Sequence, residues 1–420
     1  MRPLIYDWNG EAETQGPPHG VVEVVDETLR DGLQSPSVVH PSFAEKLDIL
    51  RSMARLGIET ATIGLPGAGP SFAMDTERLV RAAASERIPI RLACAARTLE
   101  SDILPIIRIA ERTGVAVEVN CFLGSSPIRC QTEDWTLSWL LKKTEESVRL
   151  AVGAGLGVLY VTEDTTRARP GDLEAMYAAA IRAGARRICV SDTVGHATPS
   201  GAAAVVRFVA GVVARVEPDV KIDWHGHQDR GFGVANAIAA LAAGAHRAHA
   251  CALGIGERVG NTAMEQLLVN LKLLGWIDRD LTTLPEYVDL VSKATGVPIP
   301  PSYPFVGRDA FRTGTGVHAA AILKARRKGD LDLAEMVYSS FPAGWVGRRQ
   351  EIEVGPMSGE SNVELWLGAN GFESTPERVE MILRAAKASS RVLSHDEIEK
   401  VLESAGWSGP RRLAREVSFL

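Results

Sequence analysis

Two histidines one residue apart, His225 and His227, are the residues of this chain whose types and spacing point most directly to chemistry. They lie in the segment VKIDWHGHQD, residues 220–229, which has the pattern of a strand and its end. A strand directs residues i and i+2 to the same face, so the two imidazoles point the same way. Imidazole is a common metal ligand, and the pair therefore predicts a divalent-metal site.

An acidic cluster with an adjacent cation lies far upstream of the histidines. The segment DETLRDGLQ, residues 26–34, follows an apolar run and therefore stands at the end of another predicted strand. It offers the carboxylate of Asp31 beside the guanidinium of Arg30. We expect the two strand ends to form one site, in which the carboxylate joins the two imidazoles.

The elements that must position these residues follow a regular rhythm. Short apolar runs alternate with amphipathic, helix-prone stretches such as 43–56 and 170–183. The runs are 22–25, 58–63, 90–94, 115–119, 158–161, 187–190, 222–225 and 248–252. Eight strand–helix units in this order predict the α/β class and a closed (β/α)8 TIM barrel. An open doubly wound sheet is the competing fold, but polar residues follow nearly every run instead of clustering at one switch point.

The texture of the sequence changes after the eighth unit. A proline-rich linker appears, and the residues beyond it look mainly helical, without a comparable strand rhythm. The linker prolines are Pro298, Pro300, Pro301 and Pro304. We therefore expect an N-terminal extension over residues 1–19, the barrel over 20–295, and a small, mainly helical accessory domain over 296–420.

Composition and charge exclude several classes of ligand. The 420 residues are 45% hydrophobic and 23% charged, as in globular proteins, and carry a formal net charge of −6. Nucleic acid is not expected as a partner, because phosphate binding needs a basic surface. The glycine-rich segment GIGERVGN, residues 254–261, does not have the spacing of a dinucleotide fingerprint and does not follow a first strand, which argues against NAD.

The cysteines and the apolar segments indicate the compartment. The five cysteines are scattered without CxxC spacing, which predicts neither a zinc knuckle nor a disulfide framework and favours a reducing cytoplasm. The N-terminus lacks the apolar core of a signal peptide. The most apolar helical stretch, residues 202–213, is short and interrupted by Arg207, so we expect no membrane span.

Polar residues recur at the ends of the predicted strands, where barrel enzymes carry their active sites. Any one of them could simply cap a helix or form an ion pair on the rim. Their recurrence at seven of the eight ends favours a shared site. Besides Arg30, Asp31 and the histidine pair, they are Gln34, Arg97, Ser126, Glu163, Asp164, Arg167, Asp192, Thr193, Asp229, Glu257, Arg258 and Asn261.

The ordered motifs at these ends resemble a known family. They read DETLRDGLQ, IGLPG, ACAART, SSPI, TEDTTR, SDTVG, HGHQDRGFGVANAIAALAAGA and GIGERVGNT, and RDAFRTGTGVHAAAILK follows in the accessory segment. The chain resembles the metallolyase-type TIM-barrel Claisen synthases, namely the isopropylmalate, homocitrate and citramalate synthases. These have a pyruvate carboxyltransferase-like domain and are related to 3-hydroxy-3-methylglutaryl-CoA lyase. The resemblance covers essentially the whole barrel.

The resemblance implies a reaction and its partners. A divalent cation (Mg, Mn or Zn) would bind a 2-oxo acid, and acetyl-CoA would condense with it before water cleaves the thioester to a 2-hydroxy dicarboxylic acid. The implied metal ligands are Asp31, His225, His227 and, as a fourth candidate, Asn261. A homodimer is expected, with the accessory domain reaching the neighbouring barrel.

Roles for the other residues also come from the resemblance. Arg30 would steady the developing oxyanion, Glu163 and Thr193 would face the 2-oxo acid, and His318 in TGVH would be an acid–base group lent by the accessory domain. The base that deprotonates the thioester methyl is then Glu163 or His318. The expected substrate-binding residues are Gln34, Arg97, Asn120, Ser126 and Thr193.

Departures from the family pattern leave the substrate open. Asn120 and Thr313 stand where many synthases have histidine, and Pro356 and Met357 replace a Lys-His pair. Asn120, together with Val161 and Cys189, is expected to line the pocket for the side chain of the oxo acid. The chain ends where isopropylmalate synthases usually continue, so feedback control through such a domain is not expected.

Two other functions compete with the synthase. The first is an acyl-CoA lyase of the 3-hydroxy-3-methylglutaryl-CoA lyase type, which is expected to carry a cysteine in the loop after strand eight. This chain reads Gly254-Ile-Gly-Glu-Arg258 there. The second is a catalytically silent barrel that serves as a binding protein, which the intact cluster of Arg30, Asp31 and the two histidines disfavours.

Overall fold

The structure of the protein is a computed structural model that describes residues 5–11 and 16–407. It divides into two compact units, residues 1–299 and 300–420. Parts of two predicted segments lie outside the described residues. These are 1–4 and 12–15 of the N-terminal extension and 408–420 of the accessory domain.

Eight parallel strands close into a barrel in the order of the sequence, which confirms the predicted (β/α)8 class. The last strand pairs with the first, with Val25 beside His249, so the doubly wound alternative is wrong. The strands are Glu23–Asp26 (β1), Thr60–Thr62 (β2), Arg91–Arg97 (β3), Glu118–Gly124 (β4), Val158–Glu163 (β5), Arg187–Asp192 (β6), Lys221–Gly226 (β7) and Arg247–Ala250 (β8).

The helices of the first unit begin and end at residues suited to those positions. The helix at 43–55 has a complete capping box between Ser42 and Glu45, and the helix at 100–113 ends at Gly114 with φ of 68°. The helices are Phe43–Arg55 (α1), Pro70–Ser85 (α2), Glu100–Thr113 (α3), Pro127–Thr132 (α4), Leu137–Gly153 (α5), Pro170–Arg182 (α6), Pro199–Val216 (α7), Gly233–Ala242 (α8), Met264–Leu273 (α9) and Leu284–Thr295 (α10).

One strand lies further along the chain than its apolar run predicted. The sequence placed the fourth strand at residues 115–119, whereas β4 covers Glu118–Gly124. Its register with β5 runs from Val119 beside Val158 to Gly124 beside Glu163. Asn120 interrupts the apolar run, which is why the sequence ended the strand before it. In the barrel this polar side chain is tolerated within β4 because it lines a cavity.

The helix α7 is longer than the apolar stretch predicted from the sequence. Its 18 residues, Pro199–Val216, are long and apolar enough to cross a membrane by length and composition. In the barrel it is the crossover between β6 and β7, and it buries Val206, Val209 and Val212. One such helix is weak evidence for a membrane span, and the buried valines of α7 pack it into the barrel.

Ion pairs fill the barrel interior below the strand ends. Arg247, only 1% exposed, contacts Asp223 at 2.5 Å and Glu118 at 2.6 Å. The next inward residue of β8, His249, also contacts Asp223 at 3.1 Å. Buried charges are tolerated when they are paired in this way, so the network fixes the side chains beneath the strand ends.

The second unit is mainly helical, as predicted, and contains one short parallel strand pair. One apolar cluster includes Val354, Leu367 and Ile382, and another includes Ala319 and Ile322. The elements are Arg312–Thr313 (β9), Gly316–Arg327 (α11), Leu331–Met336 (α12), Glu351–Ile352 (β10), Glu360–Ala369 (α13), Pro376–Ala388 (α14) and His395–Glu403 (α15).

Candidate metal centre and active site

The predicted carboxylate and the two imidazoles converge at the ends of β1 and β7. His225 Nε2 and His227 Nε2 lie 3.3 Å apart. The Oδ2 atom of Asp31 is 3.6 Å from the first and 3.8 Å from the second. Atoms that bind one ion at about 2.0–2.2 Å lie roughly 3.0–3.6 Å from each other. The three side chains therefore need to move only slightly to share a divalent cation.

The electrostatics of the three side chains suit metal binding. Burial lowers the pKa of His225 to about 3 and lowers that of His227 as well, so both imidazoles are neutral near pH 7. Burial opposes ionisation of Asp31, but the Arg30 guanidinium and the histidines outweigh it and lower the pKa to about 2. All three groups are thus free of the proton that would block coordination.

Asn261 contacts the carboxylate of Asp31 through its amide nitrogen. Its Nδ2 donates to Asp31 Oδ1 at 2.9 Å and to the Ile255 carbonyl at 3.0 Å. Its Oδ1 is buried and has no hydrogen-bond partner within residues 5–11 and 16–407. A Cβ at Gly256 would lie 2.1 Å from this amide, so glycine is required there. Two imidazole nitrogens and a carboxylate fit Mg, Mn or Zn, and the amide oxygen of Asn261 stays a predicted fourth ligand.

Two carboxylates hold the guanidinium of Arg30 beside this centre. The Nη2 atom is 2.7 Å from Glu27 Oε2, and Nη1 is 2.9 Å from Asp31 Oδ2. Nη1 also donates to Gln34 Oε1 at 3.4 Å. Burial disfavours the charged form of Arg30, but the two carboxylates raise its pKa above the ordinary value. The result is a fixed cation next to the candidate metal site.

A cavity of about 230 Å³ opens at this point of the barrel. Most of the residues that the sequence analysis singled out line it, together with Val161 and Cys189. They come from strands distributed around the barrel, as expected for a site at the strand ends. The predicted site residues in the lining are Arg30, Asp31, Gln34, Asn120, Glu163, Thr193, His225 and His227.

Glu163, at the end of β5, is the carboxyl group in the lining that is suited to proton transfer. Burial raises its pKa, and Arg129, whose Nε is 3.1 Å from Glu163 Oε1, opposes that rise. The guanidinium of Arg129 lies over the ring of Trp135 at 5.4 Å. A half-buried carboxyl group with a raised pKa beside a cavity is typical of general acid–base groups.

Four predicted residues do not line the cavity, and one of them is Asn261, whose contacts are given above. Arg97 pairs with Asp102 at 2.7 Å and does not appear among the described residues of the cavity lining. Ser126 caps α4 by accepting from the Arg129 backbone N–H at 3.4 Å. His318 belongs to α11 of the second unit, where its ring stacks on Tyr338 at 3.7 Å. Their roles in binding or catalysis stay predictions.

Two buried ionisable residues of the lining, Glu27 and His249, were not predicted from the sequence. The prediction considered polar residues just beyond the strand ends, whereas His249 lies within β8. The signal was the alternation in the segment RAHA, which places Arg247 and His249 on the same, inward face. Glu27 lies in the same segment as Arg30 and Asp31, but it was not among the residues of that segment that were predicted to form the site.

Comparison with known proteins identifies the family of this chain. The HMGL-like family matches residues 21–291. The "Probable 2-isopropylmalate synthase" of Methanopyrus kandleri is 33% identical over 87% of this chain and 69% of its own length. The "Homocitrate synthase AksA" of the same organism is 34% identical over 92% of this chain and 94% of its own.

The solved structures add the fold. The HMG-CoA lyase of Bacillus subtilis superposes with a TM-score of 0.57 and 20% identity, covering 69% of this chain and 98% of its own. At that identity the likeness shows a shared barrel architecture only. The match of the family over the whole barrel, and the synthases that share about a third of its residues, decide the family. The chain belongs to the HMGL-like family.

Proposed function

We propose that the protein joins acetyl-CoA to a 2-oxo acid in a Claisen condensation and then hydrolyses the thioester. The observation that carries this proposal is the convergence of Asp31, His225 and His227 within 3.8 Å of one another in the barrel cavity. A divalent cation bound there would polarise the ketone of a chelating 2-oxo acid. The relatives named isopropylmalate and homocitrate synthase support the same reaction class.

The residues around the centre supply binding and charge stabilisation. Arg30 is held by Glu27 and Asp31, so its positive charge stays where negative charge grows on the ketone oxygen. Thr193 Oγ1 accepts from the Asp164 backbone N–H at 2.8 Å, which leaves its hydroxyl proton to donate to the carboxylate of the oxo acid.

Proton transfer is assigned to Glu163, with His318 as the other candidate. The base takes a proton from the thioester methyl, the methyl carbon bonds to the ketone carbon, and the ketone oxygen becomes a hydroxyl group. Water then attacks the thioester carbonyl, the C–S bond breaks, and free CoA and a 2-hydroxy dicarboxylic acid result. A positioned base contributes typically ~10²–10⁴-fold to such a step.

The direct test is the release of free thiol from acetyl-CoA. Pyruvate, 2-oxoisovalerate, 2-oxoglutarate, oxaloacetate and phosphonate-bearing analogues are supplied in turn, with and without a chelator. We expect thiol release that needs both an oxo acid and a divalent cation. Glu163→Gln and His318→Gln, assayed in the same way, separate the two candidate bases, because the variant that lacks the base loses rate while it still binds the metal.

A lyase would behave differently in the same assay. It would release a ketone or oxo product from a 3-hydroxyacyl-CoA with no oxo acid added. The loop after β8 contains no cysteine between Gly254 and Arg258, which favours the synthase. Thiol release from acetyl-CoA that is independent of every oxo acid would contradict condensation.

We also propose a homodimer in a reducing cytoplasm. Four of the cysteines, Cys94, Cys121, Cys189 and Cys251, are buried as free thiols, and burial raises the pKa of each, which supports a reducing compartment. Light scattering of the purified protein tests the dimer, and a mass of one chain would contradict it.

A further inference from the structure

We propose that Arg258, in the loop after β8, is a positioning residue that holds Thr193 in the orientation needed to bind the carboxylate of the 2-oxo acid. The inference rests on the function proposed above, in which the Thr193 hydroxyl group donates to that carboxylate. Arg258 lines the cavity, yet no step of the proposed reaction uses it. Its contacts join three loops at the strand ends, and Thr193 belongs to one of them.

Arg258 forms a bidentate ion pair with the loop after β7. Its Nε donates to Asp229 Oδ1 at 2.8 Å, and its Nη2 lies 3.1 Å from Asp229 Oδ2. The two side chains are 37% and 25% exposed, and an ion pair with that exposure contributes little to the stability of a fold. Its two parallel bonds, however, fix the orientation of the guanidinium group.

The same guanidinium group holds the backbone of Thr193. Nη2 also donates to the Thr193 carbonyl oxygen at 2.5 Å. Thr193 follows the last residue of β6, and the pairing with β7 ends one residue earlier, at Asp192 beside Gly226. The bond from Arg258 therefore takes the place of a partner in the sheet and fixes the peptide plane that follows Thr193.

A second contact fixes the side chain of Thr193. Its Oγ1 accepts from the Asp164 backbone N–H at 2.8 Å, in the loop after β5. That bond sets the side-chain torsion, and the bond from Arg258 sets the backbone to which the side chain is attached. Together they hold the hydroxyl group at one position in the cavity lining. Without Arg258 the peptide plane is free to rotate, and the hydroxyl group shifts with it.

The loops after β6 and β7 also contact each other directly. Gly195 lies two residues after Thr193, and a Cβ at this position would be 2.5 Å from the Asp229 backbone nitrogen. Glycine is therefore required for this close approach. Because Arg258 is bonded to both loops, its side chain and this contact hold Thr193 and Asp229 in one arrangement.

The backbone at Arg258 has a conformation that arginine rarely adopts. Its φ is 55°, in the left-handed region that favours glycine, within a turn closed by a 2.9 Å bond from the Gly260 N–H to the Glu257 carbonyl. Arg87 has nearly the same φ, 54°, but it precedes β3 at the opposite end of the barrel. Its side chain forms no hydrogen bond or ion pair within residues 5–11 and 16–407. The contacts, and not the conformation, therefore distinguish Arg258.

The test begins with Arg258→Gly, which removes the guanidinium group and suits the backbone, so the variant should fold. The thiol-release assay uses the metal-loaded, full-length enzyme and the oxo acid, among those named above, that reacts fastest. We expect kcat/KM for that acid to fall by about tenfold to hundredfold, because a slightly misplaced binding group is that costly. The loss should lie in the KM for the acid, while the KM for acetyl-CoA changes by less than about twofold.

Arg87→Gly is the matched control. It makes the same replacement at nearly the same φ, away from the strand ends, and should leave both KM values unchanged. Melting temperatures establish that both variants fold. If Arg258→Gly does not fold, Arg258→Lys replaces it, because a single ammonium group cannot reproduce the bidentate pair and also donate to the Thr193 carbonyl.

Thr193→Val shows whether Arg258 acts through Thr193. Valine keeps the shape of threonine without its hydroxyl group, so kcat/KM for the acid should fall by about tenfold or more. If Arg258 only positions that hydroxyl group, Arg258→Gly should cost less than about twofold more in the Thr193→Val background. Losses that multiply in the double variant would show that Arg258 acts independently of Thr193, and would overturn its positioning role.

Binding measured without turnover separates this inference from the proposed function. Titration calorimetry of the same acid into the Mn-loaded protein should show weaker binding by Arg258→Gly, with an unchanged Mn content. An unchanged affinity and KM, or the loss of Mn from this variant, would overturn the role of Arg258 while the condensation itself stands. The absence of thiol release with every oxo acid and every divalent cation would overturn the proposed function, and this inference with it.

Discussion

The imidazole of His249 bridges two buried carboxylates, with Nε2 3.1 Å from Asp223 Oδ2 and Nδ1 3.1 Å from Glu27 Oε1. Both ring nitrogens face acceptors, so both must carry protons. Burial alone would lower the pKa of His249, but the hydrogen bonds to the two carboxylates raise it. The charged imidazole thus connects the ion pairs inside the barrel to Glu27, which in turn holds Arg30.

Replacement of this imidazole should destabilise the barrel. We expect His249→Gln to lower the free energy of unfolding by about 1.5–3 kcal/mol, because the two buried carboxylates lose a charged hydrogen-bond donor but keep Arg247 and Arg30 as cations. Urea unfolding near pH 6 measures the effect. Since the folded-state pKa of His249 is raised, its contribution is full below the unfolded pKa and fades as the pH rises through the folded value.

The exposed His40 provides the control for that experiment. His40→Gln should change the stability by no more than about 0.5 kcal/mol. If His249→Gln unfolds at the same urea concentration as the unmodified protein, the imidazole is not the cation that holds the two carboxylates.

Loss of the Asp31 carboxylate should abolish metal binding. Asp31→Asn keeps the shape of the side chain but removes the charge that draws the cation, and coordination by two imidazoles alone is weaker. After gel filtration with excess Mn, mass spectrometry should find about one ion per chain in the unmodified protein and almost none in the variant.

A second buried aspartate serves as the control for metal binding. Asp102 pairs with Arg97 and is not one of the three proposed metal ligands, so Asp102→Asn should retain the ion. Added Mn should also raise the melting temperature of the unmodified protein and of Asp102→Asn, since a ligand that binds the folded state stabilises it. A full complement of metal in Asp31→Asn would contradict the proposed centre.

The geometry of the barrel explains which residues of this site could be predicted from the sequence. The carboxyl ends of parallel strands meet at one face, so Asp31, His225 and His227 could be assigned to one site although they are distant in sequence. The same argument placed Arg97 there, but Asp102, five residues later, takes its guanidinium. The spacing of residues in the sequence does not show which nearby carboxylate will form an ion pair with an arginine at a strand end.

The residues inside the barrel were harder to predict for a different reason. Asn120 interrupts an apolar run and therefore looks like the end of a strand, whereas His249 falls inside the eighth apolar run and was treated as part of an apolar strand. In a closed barrel, however, inward positions can carry polar groups if these satisfy one another. Such hydrogen bonds join residues on different strands. Asn120 on β4 and Thr62 on β2, for example, meet only across the barrel interior, so the sequence does not reveal the pair.

Arg129 should set the pH at which Glu163 becomes a base. Burial raises the pKa of Glu163 and Arg129 counteracts it, so Arg129→Ala should raise this pKa further. A base acts only when deprotonated, and the acid limb of the kcat/KM profile for thiol release should therefore move to higher pH.

A conservative change distinguishes charge from packing at that position. Arg129→Lys keeps a positive charge near Glu163 and should leave the acid limb close to that of the unmodified enzyme. An unchanged acid limb in Arg129→Ala would mean that Glu163 is not the group whose ionisation limits the reaction, and His318 would then be the stronger candidate.

A buried aspartate outside the site should limit stability above neutral pH. Asp26 is fully buried, and burial raises its pKa to about 6 although Thr28 and Tyr287 donate hydrogen bonds to it. The folded state therefore keeps a proton that the unfolded state releases near pH 4, so stability falls as the pH rises from about 4 to about 6 and levels off above that. A shift of roughly two pKa units corresponds to about 3 kcal/mol.

Asp26→Asn should remove this penalty. We expect the variant to be more stable than the unmodified protein by about 2–3 kcal/mol at pH 8 and nearly equal to it at pH 4, because the amide keeps the bond from Thr28 without a charge. Tyr287→Phe should act in the opposite direction, since it removes a hydroxyl that stabilises the charged carboxylate. Urea unfolding at both pH values measures the differences, and a gain for Asp26→Asn that is the same at pH 4 and pH 8 would show that ionisation of Asp26 is not its cause.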